Sequence, residues 1–407
     1  MLSRRTLAAA GLATAQAPLA ARAQTPPIRL GVLTDMSGPY AGNTGPGSVT
    51  GVRLAIEDFT RDNPGIRVEV VVADPQNRVD TGLQIARSWF DRDGVDAIID
   101  VPTSAIALGL IDIVRDKNKV ALITAAAASD LSGRACSANH VHWVYDTWAL
   151  AHAVGTATVQ DGGDTWFFLT ADYAFGPAIE RDTGNFVTAA GGRVLGSARH
   201  PFPGTTDFGA FLLQAQASRA KVLGLANAGA DAVNSIKQAA EFGLTRPGNM
   251  RIAAMLTQIN DLHALGLQAG QNLLLTESFY WDLNDGSRAF AERFARELRG
   301  QRPGMIHAGG YSAALHYLKA AASLGVPAAR AAGAAAIRRM KEMPTNDPLF
   351  GPGRVRADGR KIHPMHLFQV KTPAESRGPW DYFRLVRSLP AEESFRPMAE
   401  GGCALAR

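Results

Sequence analysis

The chain has 407 residues, 46% apolar and 19% charged, a formal net charge of +5 and two cysteines. Three arginines and no acid fall in the first 23 residues, which leaves +2 on the remainder with no basic block, so nucleic-acid binding has no support. Past the amino terminus no apolar run approaches the ~18 residues that would span a bilayer, and about 380 residues predict two domains of ordinary size.

Residues 1–23 read as an export signal. Arg4 and Arg5 form the positive region, Leu7–Ala15 a short apolar stretch, and Ala21-Arg22-Ala23 a small-x-small cleavage site. A twin-arginine route also fits Ser3-Arg4-Arg5. The mature chain is therefore expected to be soluble and periplasmic.

Ile28–Thr34 is short, apolar and β-branched, as a buried strand should be. A loop, MSGPYAG, follows, and then Val49, Val52, Ile56 and Phe59 recur at helical spacing. Strand, Gly-rich loop and helix open many nucleotide-binding folds. Here Gly38, Gly42, Gly45 and Gly47 lack the G-x-G-x-x-G spacing that lets a backbone approach a pyrophosphate, and no G-x-x-x-x-G-K-[ST] occurs. The loop is either a plain turn or, at the carboxyl end of a parallel strand, one lip of a ligand site.

Strand and helix signals alternate from there: strands at 66–73, 95–101 and 120–124, with helices at 80–90 and 105–115 between them. A second series has strands at 165–170, 193–198, 221–226 and 252–256, with helices at 177–190, 208–218 and 231–242. Residues 285–343 are helical, with Phe290, Phe294 and Leu298 on one stripe. The remainder to Leu389 is strand and turn, with a D-G hairpin signal in RADGR. Repeated βα units predict an α/β fold of two Rossmann-like lobes, each a parallel sheet flanked by helices, joined by several crossovers. The divisions are 24–146 with 279–354, 147–278 with 355–389, and a tail at 390–407. A cleft between such lobes is a ligand site, and hinge closure is its motion.

Catalytic signatures are missing: no H-E-x-x-H, no G-x-S-x-G, and no paired carboxylates in an apolar setting. His140–His142 and His363–His366 are close pairs without an evident third metal ligand. Cys136 and Cys403 either form one disulfide, as an oxidising compartment favours, or remain buried thiols. What stands out is six strand-end loops rich in small and aromatic groups: VPTSAIA after Asp100, TAAAASDLSG after Ile123, YDTW at 145–148, TADYAFG after Leu169, NAGAD after Ala226, and SFYWD after Glu277. Helix N-termini after TSA or ASD present N–H groups to an anion. Tyr40, Tyr145, Tyr173, Phe175, Tyr280 and Trp281 offer flat walls.

At these loops the chain resembles the periplasmic substrate-binding proteins of ABC importers, in the branched-chain amino acid (Leu/Ile/Val) class of type I periplasmic binding proteins. The stretches that carry the resemblance are IRLGVLTDMSGPYAG, VDAIIDVPTSAIALGLIDIV, LITAAAASDLSG, WFFLTADYAFG and HAGGYSAALHYLKAA. The tail pieces RVRADGRKIHPMHLFQV and GGCALAR resemble a subgroup that binds aromatic or other organic acids.

The resemblance implies that Ser104 binds a carboxylate together with backbone groups near Ala126, Ala128 and Ser129. It also implies that Phe175 is an aromatic wall and that Tyr40 closes over the ligand. Tyr145, Asp146, Tyr173, Asn227, Gln258 and Tyr280 complete the expected site. No cofactor or metal is implied, and the expected partners are a small-molecule carboxylate and a membrane permease, met by a monomer. The acid that pairs with an α-ammonium in amino acid binders has no clear match, since Thr257 and Gln258 occupy its place. A buried ammonium without a partner is costly, which favours a ligand without an amine, although Asp146 or Asp172 would serve one. An amino acid or amide binder, a sensing ectodomain and an exported α/β enzyme remain as alternatives.

Overall fold

The structure, a computed structural model, describes residues 26–406 other than 247; the export signal lies outside the described residues. A first parallel sheet, ordered β2-β1-β3-β4-β5, takes in β1 (Ile28–Leu33), β2 (Val68–Ala73), β3 (Ala97–Asp100), β4 (Val120–Ile123) and β5 (His140–His142). Its connections are α1 (Gly45–Asp62), α2 (Val79–Asp91) and α3 (Ser104–Asp116). β3 and β4 are buried at every position, as strands covered by helices on both faces must be.

The chain then crosses to α4 (Thr147–Gln160) and a second parallel sheet, ordered β7-β6-β8-β9. Its strands are β6 (Thr165–Ala171), β7 (Arg193–His200), β8 (Val222–Ala228) and β9 (Arg251–Leu256). Helices α5 (Phe175–Ala189), α6 (Gly209–Ser218) and α7 (Ala230–Glu241) connect them, and α8 (Ile259–Leu265) and α9 (Leu267–Gly270) follow. α4 was not foreseen. It is apolar and buried on most sides, so it carries no 3.6-residue stripe.

Helices α10 (Asp285–Glu297), α11 (Met305–Leu324), α12 (Val326–Ala331) and α13 (Gly333–Glu342) return to the first sheet. α11 packs along α1 so closely that a Cβ on Gly51 would lie 2.3 Å from the carbonyl oxygen of His307. Two small antiparallel sheets complete the fold. One joins β10 (Leu274–Glu277), β14 (Met365–Val370) and β15 (Phe383–Leu389); the other joins β11 (Thr345–Asp347), β12 (Gly351–Val355) and β13 (Lys361–Ile362). The β12–β13 hairpin straddles residue 354, and its Arg360 still bridges to His142 of the first sheet.

Cys136 and Cys403 are joined in a disulfide, with Cα atoms 5.6 Å apart. The tail is also tied by Arg396, whose guanidinium donates to the Ser129 carbonyl at 2.9 Å. No helix among the described residues is long and apolar enough to cross a membrane.

Candidate ligand-binding cleft

The carboxyl ends of the two parallel sheets face each other across a small pocket. Its lining is Tyr40, Asn43, Thr44, Pro102, Ser104, Ala125, Ala127, Tyr145, Tyr173, Phe175, Ala228, Leu256, Gln258 and Ile306. None of these carries a charge.

Asp35, at the end of β1, shapes the first lip. Its carboxylate accepts from the Gly38 N–H (2.6 Å), the Tyr40 N–H (2.9 Å) and the Asn77 amide (2.6 Å), which turns the MSGPYAG loop back over the sheet. Tyr40 is thereby aimed at the facing lobe, where its hydroxyl meets that of Tyr173 at 2.6 Å and its ring stacks on Phe202. Two further bonds cross the cleft: the Ala230 N–H donates to the Pro39 carbonyl (2.9 Å), and the Asn43 amide to Asp261 (2.8 Å). Gly229 makes the first possible, because it sits at φ +60° and a Cβ there would lie 2.3 Å from the Pro39 oxygen. The structure is thus a closed form.

Ser104 is the first residue of α3, and the N–H groups of that first turn have no intrahelical partner. Its Oγ accepts from the Ala127 N–H (3.2 Å) and the Ala128 N–H (3.1 Å). A hydroxyl, two loop amides and the positive end of a helix therefore meet at one place, which suits a carboxylate. Just before it, Asp100 and Val101 hold φ of +83° and +62°. A β-branched residue there is strained, a feature that clusters at ligand sites. Burial pushes the Asp100 carboxyl up to about 6, although Thr124 donates to it at 3.0 Å.

Behind the pocket lie further buried acids. Burial pushes Asp261 up to about 6 against the pull of the Gln258 N–H and the Asn43 amide. Burial, and then the charge of Asp261, hold Glu277 well above the usual carboxylate range, and neither of its oxygens has a hydrogen-bond partner. Burial raises Asp231 to about 7.

Of the residues expected from sequence, Tyr40, Ser104, Tyr145, Tyr173, Phe175 and Gln258 line the pocket. Six do not. In the Ala-rich loop the cleft-facing residues are Ala125 and Ala127, so Ala126 and Ala128 point away. Ala126 accepts from His142 through its carbonyl, while Ala128 reaches the site only through its N–H. The Ser129 hydroxyl donates to Asp182 at 2.7 Å, outside the pocket. Asp146 caps α4, accepting from the Ala149 N–H at 2.8 Å, and lies 3.8 Å from Arg360, so no ammonium reaches it. Asn227 bonds Ser235 at 3.0 Å while its neighbour Ala228 faces the cleft. Tyr280 packs between Phe368 and Phe383 in a separate core, with its hydroxyl on the Trp380 carbonyl.

Asn43, Thr44, Leu256 and Ile306 lie outside the six loops singled out from sequence, whereas Pro102 lies within VPTSAIA, beside Ser104. His140 and His142 each bond a backbone carbonyl at 2.8 Å, and among the described residues no cluster of three or more His, Cys, Asp or Glu is placed to hold a metal.

A family model described as periplasmic binding protein matches residues 27–378. The fold is that of a periplasmic binding protein from Burkholderia mallei (TM-score 0.88, 43% identity, covering 93% of this chain and 99% of that one). It is also similar to a branched chain amino acid ABC transporter periplasmic ligand-binding protein from Burkholderia xenovorans (TM-score 0.80, 39% identity, 93% and 100% covered). A solute-binding protein of an ABC transporter from Rhodopseudomonas palustris, in complex with 3,4-dihydroxybenzoic acid, shares the fold at 20% identity (TM-score 0.75, 89% and 97% covered). No curated relative matches the chain. These proteins serve in solute transport and are not enzymes. Two parallel sheets closing on an uncharged pocket, and a family match over most of the chain, lead to one conclusion: the chain belongs to the periplasmic binding proteins of ABC transporters, with the type I fold.

Proposed function

We propose that the chain is the extracytoplasmic solute-binding component of an ABC importer, which captures a small carboxylate, aromatic by preference, by closing its lobes and then presents it to a membrane permease. The observation that carries the ligand class is the lining. Ser104 and the start of α3 offer an anion-binding end, Tyr40, Tyr145, Tyr173 and Phe175 supply aromatic walls, and no carboxylate faces the space. An ammonium brought there would lose its water with nothing charged to replace it.

The lobes are assigned as 24–146 with 279–354, and 147–278 with 355–389, followed by a tail. Residues 1–23 direct the chain to the periplasm, where it acts as a monomer. The dihydroxybenzoate complex of the Rhodopseudomonas relative agrees with the ligand class, while the Burkholderia xenovorans relative favours a branched-chain amino acid instead.

A thermal-shift screen of chain freed of carried-over ligand separates the two. Benzoates, phenylpropanoid acids, dicarboxylates, amino acids and amides make up the panel. A ligand at ~100 times its dissociation constant adds ~2.7 kcal/mol. Shifts confined to the acids, reduced in Ser104→Ala, support the reading; shifts confined to amino acids refute the ligand class.

A further inference from the structure

We propose that Asn43 and Gln258 read a hydrogen-bond donor on the ligand, and that Asp261 fixes the orientation of the Asn43 amide for that purpose. The inference rests on the carboxylate reading above and narrows it: the ligand is a carboxylate that also carries a hydroxyl or a neutral N–H.

Most polar groups in the lining are already committed. The Tyr145 hydroxyl donates to the Ala125 carbonyl at 2.6 Å, and the Tyr40 and Tyr173 hydroxyls hold each other. Thr44 donates to the Tyr40 carbonyl at 3.0 Å, and Ser104 accepts from two loop amides. Two side-chain oxygens remain buried without a partner, Oδ1 of Asn43 and Oε1 of Gln258. Their residues are 4% and 2% exposed.

The orientation of Asn43 is fixed by chemistry. Asp261 accepts the Asn43 amide on Oδ1 at 2.8 Å and the Gln258 N–H on Oδ2 at 2.9 Å. An ionised carboxylate can only accept, so Asn43 must turn its NH₂ toward Asp261. That leaves its carbonyl oxygen for the pocket it lines. An unpaired buried acceptor is unfavourable, and a ligand donor relieves it. Both acceptors are neutral, so a hydroxyl or neutral N–H suits them better than an ammonium. Because Asn43 and Gln258 come from opposite lobes, the same donor would also favour closure. Asp261 itself does not line the pocket and acts as a positioning residue.

The test is calorimetric titration of ligand-stripped chain with benzoate, 3-hydroxybenzoate and 4-hydroxybenzoate. The readout is the affinity ratio of hydroxylated to bare acid, because substituting Asn43 or Asp261 also removes a bond between the lobes and weakens all ligands together. Wild type should bind at least one hydroxybenzoate tenfold or more tighter than benzoate. Asn43→Leu should bring the ratio near one, and Asp261→Asn, which frees the amide to turn over, should lower it at least threefold. Gln258→Met leaves the lobe bond intact and should also lower the ratio, so the inference stays testable if an Asn43 variant does not fold. Equal binding of bare and hydroxylated acids by wild type, or a ratio that survives all three substitutions, overturns this inference and leaves the carboxylate reading standing. Binding of none of the three acids, with amino acids bound instead, overturns both.

Discussion

Breaking the Cys136–Cys403 bond should destabilise the chain and loosen the anion-binding end of the cleft together. The bond spans a sequence separation of 267 residues. Chain entropy for so long a loop gives roughly 5–6 kcal/mol as an upper value, and disulfides in practice contribute about 2–4. At ~2.1 cal/mol/K per residue, about 380 residues unfolding together have an unfolding entropy of ~0.8 kcal/mol/K, so Tm should fall by roughly 3–5 °C.

The functional part follows from what the tail holds. Arg396 donates to the Ser129 carbonyl, and Arg356 grips the tail in turn by donating to the Arg396 carbonyl at 2.9 Å. Ser129 directly follows the loop whose Ala127 and Ala128 amides meet Ser104. Scanning calorimetry of Cys136→Ser/Cys403→Ser, with and without a bound carboxylate, checks both effects. An unchanged Tm would mean that the tail contributes nothing to the fold. A lowered Tm with unchanged ligand affinity would mean that the tail does not support the Ala125–Ala128 loop.

Closure should depend on the hydroxyl pair across the cleft. Tyr40→Phe leaves the part-buried Tyr173 hydroxyl without its 2.6 Å partner, so ligand affinity should fall about tenfold, for a cost of ~1–3 kcal/mol. Adding Tyr173→Phe should recover much of it, and titration of the single and double variants measures this. The Glu277 carboxyl should make the fold lose stability as pH rises above the ordinary glutamate value. Burial, and then the charge of Asp261, make Glu277 hold its proton in the fold to a higher pH than in the unfolded chain, so the native state binds more protons and this group's contribution to stability falls as pH rises. The buried histidines, held below their ordinary value, act in the opposite sense until the unfolded chain's histidines have lost their protons, about one pH unit above that ordinary value, so the contribution of Glu277 is read against a variant that lacks it. Thermal melts over a pH series should show wild type losing stability relative to Glu277→Gln as pH rises, and a difference that does not change with pH would refute the assignment.

The βα alternation was legible because its strands are short β-branched runs and most of its helices carry one apolar face. α4 was hidden by burial on most sides, and β5 by being three residues long and flanked by loop signals. The cleft was legible at the level of loops: five of the six singled out converge on it, and SFYWD does not. Within a loop the sequence carried less. A run of alanines has no phase, so nothing marked Ala125 and Ala127 rather than Ala126 and Ala128, and the same single-residue step separates Asn227 from Ala228. Tyr280 looked like a cleft wall because an aromatic after a strand suits a ligand or a core equally well. Asn43 and Asp261 meet only across the closed cleft, 218 positions apart in the chain, where no local pattern reaches.

The central claim, an uncharged pocket that takes a carboxylate and not an amino acid, is tested most directly by pairs of ligands that differ only in the α-ammonium. Calorimetric titration of the ligand-stripped chain would compare 3-phenylpropanoate with L-phenylalanine, and 4-methylpentanoate with L-leucine. An unpaired buried ammonium costs several kcal/mol, so in any pair that binds the acid without the amine should be tighter by 100-fold or more. An amino acid that binds more tightly than its amine-free counterpart would contradict the account.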